Sequence, residues 1–175
     1  MSGPMNTYCL ARTMFYCAGV SLLLCTAVHA QTLAMSSPSA AAGAAVAADI
    51  VLTTPAGSPQ ASSLEWTVIF PSRDLTLIGS GPMIDPSREA AGKSLVCRGT
   101  WKKPNAAYSF HCLLVGGNAP LTDGPLVTLR FQVRRKARPG THALELENLK
   151  GVTAAAKTVR VNGSNGSLTV VISPI

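Results

Sequence analysis

The chain has 175 residues and a formal charge of +7, a length that suits one domain. Charged residues make up only 13% and aromatics 5%, while 15 Gly and 12 Pro supply plentiful turns. That composition argues against a helical protein and for an all-β domain.

In chain order, Arg12 precedes an apolar run from Met14 to Val28. At roughly 15 residues the run is shorter than the about 20 that a membrane span needs. Val28-His29-Ala30 places small residues where a signal peptidase requires them, so residues 1–30 read as a signal peptide. The alternative is an uncleaved anchor. A lipoprotein site at Cys25 is disfavoured by the large Leu24 before it. Cleavage removes Cys9, Cys17 and Cys25 and leaves Cys97 and Cys112, an even pair that points to a disulfide in an oxidising compartment. The expected location is therefore secreted: extracellular, periplasmic or on the cell surface, with no membrane span in the mature chain. Two Cys with His111 and His142 lack the spacing of a metal site, and no metal or other cofactor is expected.

Residues 31–47 are small and weakly polar and read as a flexible Ala/Ser-rich lead-in, with the folded domain spanning 48–172. From there, short apolar runs alternate with turn signals, as in a sandwich. A first strand lies near Ala48–Leu52. Leu64, Trp66, Val68 and Phe70 share one face of the next, and Pro71 ends it. Leu75–Ile78 is another. Asp85-Pro86 is suited to cap a single helical turn that Gly92 closes. Ser94–Arg98 and Tyr108–Val115 form a pair of strands joined by a loop. Cys97 and Cys112 fall on one face of that pair and are expected to bond across it. Val127, Leu129, Phe131 and Val133 alternate with Thr128, Arg130, Gln132 and Arg134, so one side is buried and one wet. His142–Leu146, Lys157–Val161 and, after the turn at Asn162–Gly166, Ser167–Ile172 complete about nine strands and one helical turn.

Enzymatic signatures are missing. Ala91-Gly92-Lys93-Ser94 imitates the end of a phosphate-binding loop, but Ser87 stands where that loop needs a Gly. His111 and His142 have no nucleophile motif beside them and read as surface imidazoles. The acids are scattered singly, apart from Glu145 and Glu147 on one strand face, and do not read as a glycosidase pair. The basic stretch of Arg130, Arg134, Arg135, Lys136 and Arg138 lacks interleaved aromatics, so nucleic acid is not expected. It reads first as a solvated face, and otherwise as a contact for an acidic polysaccharide or an envelope surface. Alternation buries Trp66, Phe70, Phe110 and Phe131, leaving Trp101 and Tyr108 as possible carbohydrate contacts.

Three motifs in order carry a family resemblance: Ser63–Phe70 followed by Asp74-Leu75; Asp123-Gly124 before Leu126–Val133 and then Ala137-Arg138-Pro139-Gly140-Thr141; and Asn165-Gly166-Ser167-Leu168-Thr169-Val170. Together they resemble the cohesin family over roughly residues 48–172. The resemblance implies a nine-stranded, jelly-roll type β-sandwich that is not an enzyme. It implies docking to a dockerin-like protein partner in polysaccharide degradation. The docking face would include Ser63, Glu65, Thr67 and Ile69, with His111 and Leu113 outward on the neighbouring strand. Ile69 and Leu113 would form its apolar centre. The chain departs from the family pattern in its Ala-rich first strand and its Cys pair. The competing functions are a carbohydrate-binding module, whose partner is a polysaccharide, and a structural subunit of an envelope or pilus assembly.

Overall fold

The computed structural model describes residues 30–79, 81–102 and 107–172, with the side chains of 101 and 102 left aside. The signal-peptide reading of residues 1–30 falls almost wholly outside that range.

Thirteen strands and one helix are formed among the described residues. In order they are β1 (Gln31–Met35), β2 (Ser39–Ala41), β3 (Ala45–Thr53), β4 (Ser63–Pro71), β5 (Leu75–Leu77), β6 (Met83–Ile84), α1 (Pro86–Ala90), β7 (Ser94–Lys102), β8 (Ala107–Val115), β9 (Gly124–Val133), β10 (Gly140–Val152), β11 (Thr158–Val159), β12 (Val161–Ser164) and β13 (Gly166–Val171). One sheet runs β12-β1-β3-β9-β5, with β6 also on β9. The other runs β2-β13-β10-β4-β8-β7, with β11 also on β10. The all-β, two-sheet reading holds. The strand count exceeds nine because several elements are two to four residues long and carry no alternation that a sequence could display.

The segment read as a flexible lead-in is instead β1, β2 and the start of β3. Gln31, Leu33 and Met35 point inward and are buried, while Thr32 and Ala34 point out. β1 lies inside its sheet, parallel to β12 and antiparallel to β3. Its outward residues are small, which hid the alternation. At Ser36-Ser37-Pro38 the chain leaves one sheet, and β2 then pairs with β13 in the other. This corner requires Gly166, where a Cβ would sit 2.4 Å from the Ser36 carbonyl oxygen and 2.7 Å from that of Met35.

The inward faces meet in one core around Trp66, Phe131, Leu33, Ile50 and Leu129, all 0% exposed. Val127, Leu129, Phe131 and Val133 are buried as the alternation requires. The helical turn also forms as read. Asp85 caps it by accepting from the Ser87 N–H at 2.9 Å; the bond from the Ser87 hydroxyl, and after it that N–H bond, holds its carboxyl below the usual value. Gly92, at φ 75°, ends it.

Two cations near α1 then tie down the loop before β9. Arg88 donates to the carbonyls of Pro125 (2.9 Å) and Asp123 (3.0 Å) and to the Thr122 hydroxyl. Lys93, which mimicked a phosphate-binding lysine, is 3% exposed and donates to backbone carbonyls instead.

Candidate docking face

Four strands present one outward face, in the order β10, β4, β8, β7. Their registers align it in rows. Glu147 faces Thr67, Thr67 faces His111, and His111 faces Arg98. In the next row Lys150 faces Glu65, Glu65 faces Leu113, and Leu113 faces Val96. Ser63 lies opposite Val152 and Ile69 opposite Glu145. The six residues expected on this face do share it.

Their exposure differs from expectation at two positions. Thr67 and Ile69 are 6% and 8% exposed. Thr67 is covered because its hydroxyl engages the side chains of Asn148 and His111. Ile69 sits on β4, flanked by β8 and β10, and cannot be half of an exposed apolar centre. That centre is Leu113 (38%) with its register partner Val96 (61%). Val96 was legible: it alternates with Leu95 and Cys97, which point inward. The row had only to be extended to β7.

A polar network flanks the apolar pair. Between Glu147 and Lys150, β10 holds one residue more than β4 does, so it bulges. Asn148 sits there at φ 53°, a conformation Asn tolerates. The bulge aims its Nδ2 at Thr67 Oγ1, to which it donates at 3.3 Å. The same hydroxyl shares a hydrogen bond with His111 Nδ1, 3.2 Å away. On its other side, His111 Nε2 faces Glu65 Oε1 at 3.4 Å. Lys150 Nζ approaches the same carboxylate oxygen at 3.5 Å. His111 is 51% and Lys150 66% exposed, so these contacts add little stability. Their effect is to hold charged side chains in place around Leu113.

Thr67, His111 and Glu65 stand in the order of a nucleophile, a base and an acid. The geometry does not support catalysis. Thr67 is closed to solvent, and strand amides bonded to neighbours cannot serve an oxyanion. Among the described residues no group of three or more His, Cys, Asp or Glu is placed to hold a metal.

On the inner side, Cys97 and Cys112 are register partners with Cα atoms 4.1 Å apart and are joined as a disulfide. His142 is not a surface imidazole: its side chain is 12% exposed, with Nδ1 3.7 Å from Asp74 Oδ2 and Nε2 3.0 Å from the Arg138 carbonyl. The side chain of Trp101 lies outside the described residues. Tyr108 and Phe110 are both half-buried, so Phe110 is less enclosed than alternation implied. Their rings meet each other at 4.9 Å, and Tyr108 meets Phe70 at 5.8 Å. Tyr108 therefore belongs to an inner aromatic cluster and not to an exposed platform.

No family model and no curated protein matches the chain. Solved structures do. The OlpA cohesin of Clostridium thermocellum, in complex with a dockerin, superposes with a TM-score of 0.65 at 14% identity, over 81% of this chain and 99% of that one. The chain has a cohesin fold. A non-cellulosomal cohesin from the hyperthermophilic archaeon Archaeoglobus fulgidus gives a TM-score of 0.64 at 16% identity, over 81% and 91%. The cohesin CaCohA2 of Clostridium acetobutylicum gives 0.60 at 17%, over 81% and 90%. At these identities the likeness establishes the cohesin-like fold.

Proposed function

We propose that this protein is a secreted, non-catalytic docking module that presents the β10–β4–β8–β7 face to a dockerin-like protein in polysaccharide degradation. The observation that carries the reading is the exposed Leu113–Val96 pair beside the network of Glu65, His111, Thr67, Asn148 and Lys150. An apolar centre with a polar rim is what an interface of moderate size needs. The cohesin fold supports it, because solved cohesins of this fold are in complex with dockerins. The disulfide supports export, since such bonds persist in oxidising compartments. The flat-platform carbohydrate reading draws no support from Tyr108, which packs inward.

The test titrates a panel of calcium-loaded dockerin modules against the wild type and Leu113→Asp. Leu113 reaches solvent, so circular dichroism should not change. A bound dockerin should lose more than about 1 kcal/mol of affinity if Leu113 is central. Unchanged affinity in Leu113→Asp combined with Glu65→Arg would remove this face from consideration.

A further inference from the structure

At one end of the sandwich lies a cavity of about 390 Å³ lined by Phe70, Tyr108, Phe110, Leu75 and Leu77, with Arg134 at its rim. It exists because β5 is only three residues long and does not cover the inner face of β8. Gly79 and Gly81 also line it and have no side chain to extend into it; a Cβ on Gly79 would meet nothing within 4 Å. The aromatic wall is fixed from behind. Phe70 packs edge-on against buried Phe131 at 5.1 Å, and Tyr108 lies across Gly99, where a Cβ would come within 2.2 Å of the phenol oxygen. The volume lies in the range of small-ligand sites.

The same end gathers positive charge from two separate turns. The Arg134 N–H donates to the Asp74 carbonyl at 2.9 Å and the Arg138 N–H to the Asp74 carboxylate at 3.3 Å. This brings Arg73 beside Arg134, Arg135, Lys136 and Arg138. Asp74, the one acid on these turns, is already engaged with His142 and the Arg138 amide. Among the described residues none of the five cations has a carboxylate partner. A field of one sign at the mouth of a low-dielectric cavity attracts anions.

We infer that this end of the sandwich binds an acidic polysaccharide, one sugar ring entering the aromatic cavity with its carboxylate on Arg134 and its neighbours following Arg135, Arg138 and Arg73. A chain with a carboxylate on each ring fits both features at once. A nucleic acid needs several stacking surfaces along its track, and this end of the sandwich presents one recessed aromatic cluster. The site lies apart from the docking face and does not depend on it.

The experiment measures binding of the whole protein to polygalacturonate, to its fully methyl-esterified form and to poly-glutamate, at low and moderate salt. Arg134 is exposed, so Arg134→Gln should fold normally. The charge-matched control is Arg160→Gln; the Arg160 carbonyl accepts from Gln31 N–H at the opposite end. The expected result is binding to polygalacturonate that weakens at least about tenfold in Arg134→Gln, by less than about twofold in Arg160→Gln, and is absent with the ester. Three outcomes overturn the proposal. They are no binding to polygalacturonate at low salt, equal losses in both variants, and equal binding of the ester or of poly-glutamate.

Discussion

Replacing Lys93 with Met tests the account of the loop that leads into β9. Lys93 is 3% exposed, and its ammonium donates to the carbonyls of Ser62 (2.9 Å), Gly116 (2.7 Å), Ala119 (2.7 Å) and Gly117 (3.3 Å). Among the described residues no carboxylate pairs with it; carbonyl dipoles balance the charge. Met keeps most of the aliphatic stem and removes the charge. The carbonyls of exposed Gly117 and Ala119 can turn to water, whereas Ser62 is 5% exposed and its carbonyl loses a partner it cannot replace. An orphaned buried acceptor costs about 1–3 kcal/mol. Charge-assisted bonds lost at the loop add to that, and relief from burying an ammonium offsets part of it. The expected net loss is about 2–3 kcal/mol, seen as a lower urea midpoint with an unchanged slope in tryptophan fluorescence. The sign of the pH dependence is also set. Burial pushes the Lys93 pKa below 10.5. The unfolded chain therefore binds this proton more tightly, and stability from Lys93 rises with pH between its folded value and 10.5. The gap between wild type and Lys93→Met should widen over that window. A variant within about 0.5 kcal/mol of wild type, or a gap that narrows as pH rises, would refute the reasoning.

Two further outcomes separate features of the fold. Reducing the Cys97–Cys112 bond, which spans 15 residues, should cost about 3 kcal/mol in the loop-entropy account; calorimetry with and without reductant would read it, and an unmoved transition would contradict it. Leu33→Ala should cost about 2–5 kcal/mol, as for any fully buried leucine, and a silent substitution would mean that β1 is the dispensable lead-in its composition suggests.

What could be read from sequence depended on contrast between adjacent side chains. In β9, Phe131 and Val133 alternate with Arg130, Gln132 and Arg134, and the buried face follows directly. In β1, Leu33 stands between Thr32 and Ala34, and inward and outward residues differ too little to signal a strand. The Asp85-Pro86 cap was legible because both residues act on their own neighbours. Lys93 was not, because its partners at Ser62 and at Gly116 to Ala119 are distant in the chain.

The docking face divides in the same way. Period-two spacing alone placed Glu65, Thr67 and Ile69 on one side of β4 and His111 and Leu113 on one side of β8. It could not tell that Ile69 would be closed over while Val96 stayed open, since exposure depends on which strands flank each position. The bulge at Asn148, which anchors the network through Thr67, exists only once β10 pairs with β4. The cavity behind Tyr108 and the cations around Asp74 likewise come from juxtaposing distant turns. Local alternation and turn chemistry thus determined the fold class, the cap and the disulfide. Strand order and register decided which outward residues reach solvent together, because that is a property of neighbours across the sheet and not along the chain.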